Sequence, residues 1–416
     1  MKVLHLTYSD FKGGASRAAK RIHLSLLKSS IKSYLLVNLS NSFKTKNKII
    51  VPNNYIIKFI NLFRAAIGST LGLWFRDNNF SIHSMSIIPS CFHKFINKSD
   101  YDLINLHWVG GEMISIEDIG KINKPIVWTL HDMWPFCGAE HVTFDDRWKS
   151  GYYSNNRKSQ SKSFFDLNKF VWTRKLKSWK EPMHIVGVSN WISQCAKESK
   201  LMKNFSVTTI NNTLDTNFWK PDDQNNAREY FNLPKKIKIF GYGSLAYKSS
   251  SLKGKDLFLS SIKAIKYNKE KFAIFVIGDE NDFLEELDGI KIFKISRLDT
   301  EFEMKKFYNA LDFIVFPSRL ESFGQTASEA ISCGKPVVCF NTTGLKDIIF
   351  HGINGWLTKP FDINKLASGI DFFLGLSANK YKQYSKNCRS IAVEKFSYEI
   401  ISKQYINLYS KIVNSK

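Results

Sequence analysis

Short apolar runs alternate along the chain with stretches in which apolar residues recur every three or four positions. "KVLHLT" (2–7) comes first, then "SYLLVN", "DLINLHW", "PIVWTL" and "HIVGVS". The second half repeats the pattern with "KIKIFGYG", "FAIFVIGD", "IKIFKIS", "DFIVFPS" and "PVVCFN". These runs are rich in Val, Ile and Phe and alternate little, as strands buried on both faces do. Strand–helix alternation of this kind predicts doubly wound α/β sheets. The halves are divided by the polar, proline-bearing "NNTLDTNFWKPDDQNNAREYFNLPKK" (211–236). That break predicts two Rossmann-like domains in place of one barrel, with a linker at about 215–235.

Two stretches fall outside the alternation. "DDRWKSGYYSNNRKSQSKSFF" (145–165) is polar, basic and poor in aliphatics, and reads as a long surface loop. "YIIKFINLFRAAIGSTLGLWF" (55–75) is apolar, but Lys58, Asn61 and Arg64 interrupt it at helical spacing. An amphipathic helix is expected there, either packed on the first domain or lying in a membrane interface. No run of eighteen uncharged apolar residues occurs, so no spanning helix is expected. The N-terminus reaches Asp10 too soon for a secretory signal.

Composition narrows the partners. The 416 residues are 44% hydrophobic and 23% charged, values of a folded chain with room for two domains. Sixty Lys+Arg against 37 Asp+Glu leave a formal charge of +23. Such a chain is drawn to phosphorylated substrates, acidic membrane surfaces or nucleic acid. Its lysines are spread along the chain and no nucleic-acid motif accompanies them, so nucleic acid is not an expected partner. The six cysteines include no CxxC pair and read as reduced and mostly buried, which points to the cytosol. No Cys/His cluster has zinc-ligand spacing. Asp100-Tyr101-Asp102 immediately precedes the run "LINLHW" without further carboxylates, so no metal and no cofactor is expected.

In open α/β sheets ligands bind at the carboxyl ends of strands, so residues placed there carry the candidate chemistry. After the first run comes Gly13-Gly14 and then an amphipathic helix, where backbone N–H groups can approach an anion. The same pair also reads as a plain turn. His131 and Asp132 leave the run "IVWTL", and His107 ends the neighbouring run. Either histidine is placed to hydrogen-bond a substrate hydroxyl, with Trp134, Pro135 and His141 as a cleft wall. "GYGSLAYKSSSLKGKDLF" carries Lys248, Lys253 and Lys255 in a Gly/Ser-rich loop suited to a diphosphate. "PSRLESFGQTASEAISCGKP" (317–336) runs from a strand end into a short helix closed by Gly334. Gly324 lets backbone approach a ligand at that helix start. Glu321 and Glu329 bracket the start, and each carboxylate can accept two hydrogen bonds from a vicinal diol.

With these residues in place, the chain resembles retaining nucleotide-sugar glycosyltransferases of the GT-B fold, glycosyltransferase family 4, also called glycosyl transferases group 1. The resemblance covers nearly the whole chain. Its most specific mark is the E-x7-E pair Glu321/Glu329, with "FPSRLESFG" before it and "CGKPVV" after it. Other marks are Gly13-Gly14, "TLHD" (129–132), "GVSNW" (187–191), "NNTLDTNFWKP" (211–221), "SLKGKD" (251–256) and the tail "EKFSYEIISKQYINLYSKI". Two positions depart from the family. Leu252 stands where an arginine usually precedes the phosphate lysine, with Lys248 as the candidate substitute, and Asn212-Thr213 replaces the usual Asn-Gly.

The resemblance implies two Rossmann-like domains facing a central cleft: an acceptor-binding domain over 1–215 and a nucleotide-sugar-binding domain over 216–390. It also implies a tail helix, 391–416, that crosses back to the first domain. It implies that Glu329 binds the ribose diol and that Glu321 faces the transferred sugar, with the amides of Phe323, Gly324 and Gln325 near the sugar hydroxyls and diphosphate. Lys253, helped by Lys248, pairs with the diphosphate, His131 contacts the donor sugar, and Gly14 approaches the donor phosphate or the acceptor. The implied reaction is metal-independent and retains anomeric configuration. The implied donor is UDP- or GDP-linked, and the acceptor a saccharide or lipid-linked saccharide of a surface polysaccharide. The implied place is the cytoplasm, at the inner face of the cytoplasmic membrane. Other enzymes of the same fold, a glycoside phosphorylase or a nucleotide-sugar epimerase, share many of these marks.

Overall fold

The computed structural model describes residues 1–40, 48–51, 63–68, 70, 82–153, 156, 165–243, 250–278, 285–287 and 289–415. It divides into two compact units, Met1–Thr213 with Tyr398–Lys416, and Leu214–Ser397.

The first unit is built on a seven-stranded parallel sheet. Its strands are β1 (Lys2–Ser9), β2 (Lys32–Leu39), β3 (Ile49–Ile50), β4 (Leu103–Leu106), β5 (Ile126–Leu130), β6 (His184–Gly187) and β7 (Ser206–Thr209). Their spatial order is β3-β2-β1-β4-β5-β6-β7. The chain leaves β1 toward β2 on one side and resumes at β4 on the other, so the β1/β4 boundary is a topological switch point. β4 and β5 are buried at every residue, which explains their mostly apolar runs.

The tail helix Tyr398–Asn414 completes this unit. Ile401, Tyr405, Leu408 and Tyr409 enter the cluster formed by Val3, Ile22, Leu26 and Leu103. Burial of each such side chain contributes about 1.5–3 kcal/mol. Asn105 donates to the Tyr409 hydroxyl at 2.6 Å, so the polar tips of the helix are also satisfied. The expected tail boundary at 390 falls inside a helix spanning Ala378–Phe396, and the segment that joins the first unit starts at Tyr398.

The second unit holds β8 (Lys238–Gly243), β9 (Phe272–Ile277), β10 (Glu285–Leu287), β11 (Ile290–Ile295), β12 (Phe313–Phe316), β13 (Val337–Phe340) and β14 (Gly355–Thr358). The order is β10-β11-β9-β8-β12-β13-β14, parallel except for the β10/β11 pair. Its switch point lies between β8 and β12. Phe240, Phe272 and Phe313 stack across these strands, with ring centroids 5.8 and 5.1 Å from that of Phe240.

Three local expectations differ from what is observed. The expected linker is part of the second unit's packing: Trp219 is buried, and its carbonyl accepts from Arg389 at 2.8 Å. The 145–165 loop begins inside the first unit. Arg147, Trp148 and Tyr152 are buried, and Arg147 pairs with Asp166 at 2.6 Å. Most of the 55–75 segment lies outside the described residues. Within it, Arg64, read as one of the polar interruptions, is buried and donates to the Ile88 carbonyl at 2.6 Å, because two loop carbonyls there need donors. No helix among the described residues is long and apolar enough to cross a membrane.

Candidate functional site

Each unit presents one set of candidate residues at the carboxyl ends of its central strands.

In the second unit the loop after β8 meets the loop after β12. Lys253 closes a helical turn (Ser250–Lys253), and its Nζ lies 2.6 Å from Glu321 Oε1. These residues are 68 positions apart and meet because β8 and β12 are neighbours at the switch point. Gly254 makes the approach possible. It sits at φ +69, and a Cβ there would lie 2.0 Å from the Pro317 carbonyl oxygen. Glu321 is also fixed through its backbone. Its N–H donates to Thr343 Oγ1 at 3.0 Å, and its carbonyl accepts from Gly344 at 2.9 Å. Ser318 adds a hydrogen bond to Oε1 at 2.9 Å.

Gly324 caps the following helix, Gln325–Ser332, in the left-handed region at φ +105. Its carbonyl accepts from Ala327 and Ser328 at 3.0 and 3.1 Å, which closes the first turn of the helix. Phe323, just ahead, is buried and meets Phe396 edge-on at 5.5 Å. Glu329 is one turn further and buried, with one carboxylate oxygen accepting from the Tyr308 hydroxyl at 3.0 Å. The two glutamates therefore differ in surroundings: Glu321 pairs with a cation at the loop, and Glu329 is set in the wall beneath it.

Several members of this site carry no mark in the sequence. Ser318, Thr343 and Gly344 hold Glu321, and Tyr308 holds Glu329. Only the "NTTG" turn after the run "PVVCF" offered a signal, as a polar turn at another strand end. At Leu252, where the family usually has arginine, the carbonyl accepts from the Arg319 N–H at 2.8 Å. The Arg319 guanidinium reaches the neighbouring Ser251 carbonyl at 2.6 Å and pairs with Asp256 at 2.5 Å, lashing this loop to the end of β12. Lys248 lies outside the described residues.

In the first unit Gly13 stands at φ +80 at the start of the helix Gly13–Lys28, and a Cβ on Gly13 or Gly14 would meet no described residue within 4 Å. The loop before it is folded by Ser9 Oγ, which accepts from the N–H groups of Phe11 and Lys12. His131 leaves β5 half-buried, and its Nε2 lies 3.0 Å from His107 Nδ1. Burial pushes the His131 imidazole down to about 4 although the Asp132 carboxylate opposes this, so the ring is neutral at ordinary pH.

His107 is not available to a substrate. It is buried, and both ring nitrogens are engaged, Nε2 by His5 at 2.9 Å and Nδ1 by His131. His141 and Trp134 likewise pack inward. His141 bonds Asp132 at 2.6 Å and Ser84 at 2.7 Å, and Trp134 donates to the Ser84 carbonyl at 2.9 Å. The loop that carries them is clamped by Lys175, whose buried ammonium donates to the carbonyls of Trp134, Cys137 and Gly138. Burial pushes this ammonium down to about 7. Asp100 and Asp102 pair with the side chain and backbone N–H of Lys2. No cluster of three metal-ligating residues occurs among the described residues.

Two largely parallel Rossmann-like sheets, each with its candidate residues at the carboxyl ends of its central strands, are the architecture of the GT-B fold. Over 99% of this chain and 100% of that one, the structure superposes on the Anabaena protein HepE, solved with UDP and glucose, at a TM-score of 0.64 and 18% identity. Residues 223–391 match the family model "Glycosyl transferases group 1". An uncharacterized glycosyltransferase of Methanocaldococcus jannaschii is 33% identical over 35% of this chain and 38% of its own length. The capsular polysaccharide biosynthesis glycosyltransferase CapM of Staphylococcus aureus is 24% identical over 54% of this chain and 61% of its own length. The chain thus spans less than two thirds of either relative's length.

Proposed function

We propose that this protein is a metal-independent, retaining glycosyltransferase of family 4. It moves a sugar from a UDP- or GDP-linked donor to a saccharide or lipid-linked saccharide acceptor during surface-polysaccharide assembly, at the cytoplasmic face of the membrane. The observation that carries the reading is the meeting of Lys253, Glu321 and the Gly324-capped helix start at the ends of β8 and β12. The bound UDP and glucose of the Anabaena protein support the donor class, and the similarity to CapM supports the polysaccharide role.

The chemistry follows from charge. As the anomeric C–O bond breaks, positive charge grows on the sugar ring and negative charge on the leaving diphosphate. Lys253 and the backbone amides of Phe323, Gly324 and Gln325, at the helix start, stabilise the second of these. The arriving diphosphate competes with Glu321 for Lys253, which frees the carboxylate to accept from sugar hydroxyls. Glu329 accepts from the ribose diol. In the first unit, His131 contacts the donor sugar and Gly14 leaves room for phosphate or acceptor. The acceptor oxygen bonds the same face of the anomeric carbon, and its proton passes to the leaving phosphate oxygen. No protein base is needed.

Thermal unfolding with UDP and with GDP tests the donor site. A ligand at 100 times its dissociation constant stabilises by about 2.7 kcal/mol. One nucleotide should raise the melting temperature, and Glu329→Gln, which keeps an acceptor for Tyr308, should reduce the rise. No rise with either nucleotide would sink the reading. A phosphorylase or epimerase releases no nucleoside diphosphate, so product analysis separates those enzymes from a transferase. The membrane part fails if the protein ignores anionic vesicles at low salt.

A further inference from the structure

Three imidazoles form a row across the first sheet. His5 belongs to β1, His107 follows β4 and His131 follows β5, and these strands are neighbours. His5 Nδ1 lies 2.9 Å from His107 Nε2, and His107 Nδ1 lies 3.0 Å from His131 Nε2. Successive rings meet edge to edge and nearly coplanar, at interplanar angles of 23° and 24°, with centroids 5.2 Å apart. The other end of the row, His5 Nε2, is buried and has no hydrogen-bond partner among the described residues.

A neutral imidazole carries one N–H and one lone pair, so the two links admit two proton patterns. In the first, His5 Nδ1–H donates to His107, and His107 Nδ1–H donates to His131 Nε2. The proton of His131 is then on Nδ1. In the second, every proton points the other way, and an N–H stands at His5 Nε2 with no acceptor among the described residues. Orphaned N–H groups in protein interiors are rare, whereas the first pattern leaves only a lone pair there. The rings are neutral. Burial depresses His5 and His107 well below the usual imidazole range, with neighbouring imidazoles adding to it, and depresses His131 as already described.

We infer that His5 and His107 are positioning residues that pin His131 in its Nδ1–H tautomer, so that it offers a neutral N–H donor to an oxygen of a bound nucleotide-sugar. Only the final clause rests on the donor-binding reading. His131 Nε2, already accepting from His107, is then unable to serve as a base.

The test is nitrogen-15 NMR of the histidine-labelled full chain near neutral pH, with His131→Gln to assign the His131 signals. The wild type should show His131 protonated at Nδ1, and an Nε2–H pattern would overturn the inference even if no variant folds. His107→Phe removes the donor and should move His131 toward the Nε2–H form, whereas His107→Asn supplies an amide donor and should keep Nδ1–H. An unchanged His131 in His107→Phe would also overturn the positioning role. UDP-glucose is then titrated. It should perturb the His131 signals and bind about five- to tenfold more weakly to His107→Phe, the worth of one neutral hydrogen bond. An Nδ1–H signal that ignores UDP-glucose would uphold the positioning role and overturn the contact with donor.

Discussion

Gly254 offers a test of the site that leaves every proposed ligand-binding side chain in place. In Gly254→Ala the new Cβ would lie 2.0 Å from the Pro317 carbonyl oxygen, in a residue already at φ +69. A comfortable C···O contact is about 3.3 Å, so the loop must retreat from the end of β12 by roughly 1.3 Å. Lys253 is the adjacent residue, and it moves with the loop, away from its 2.6 Å contact with Glu321. A displacement of about 1 Å can cost about 10²-fold in rate. The left-handed backbone adds about 1–2 kcal/mol of strain for a residue with a Cβ, which most folded chains survive. Gly243→Ala is the control: it ends β8, and among the described residues its Cβ would make only ordinary contacts, the nearest with Ile277 at 3.7 Å. Turnover is read as nucleoside diphosphate released, with thermal unfolding alongside. The expected result is about 10²-fold lower turnover in Gly254→Ala and near wild-type turnover in Gly243→Ala, with both folded. Wild-type turnover in Gly254→Ala, or equal loss in the two variants, would refute the role given to this loop.

Other expectations follow from the same contacts. Lys253→Met should lower turnover by about 10²–10³-fold but stability by no more than about 1 kcal/mol, because the pair with Glu321 is partly exposed; urea unfolding and product release measure the two. Lys175→Met strands three buried carbonyls and should cost about 3 kcal/mol or more in urea unfolding. Acid stability reports on the histidine row. Its folded-state values lie below the unfolded value of 6.5, so the unfolded chain binds more protons as pH falls. Stability should therefore decline as pH drops below about 6.5 toward 4, and His131→Gln should flatten part of that decline; equal slopes in variant and wild type would contradict the assignment.

The amino-acid sequence by itself determined much of the framework. Buried parallel strands are mostly apolar on both faces, so β1, β2, β4, β5, β6, β8, β9, β11, β12 and β13 stood out as apolar runs with few polar breaks. β3 and β10, at the edges of their sheets, are two and three residues long and left no comparable run. Gly324 and the Glu321/Glu329 spacing were legible because a strand, a turn and a helix start follow one another along the chain. Lys253 was legible as a basic residue in a glycine-bearing loop.

What only the tertiary structure decided depends on which strands are neighbours. Lys253 finds Glu321 because β8 pairs with β12, and the arginine on this loop is Arg319 from the other side of that pair. His107 read as a substrate contact because it ends a strand, yet β1 and β5 flank β4 and occupy both of its nitrogens. Arg64 read as a polar interruption of an apolar run at helical spacing, yet two carbonyls from other loops draw it inward. A residue type records what a side chain is able to bond; its partner is set by sheet order, through contacts between residues as far apart as the 102 positions that separate His5 from His107.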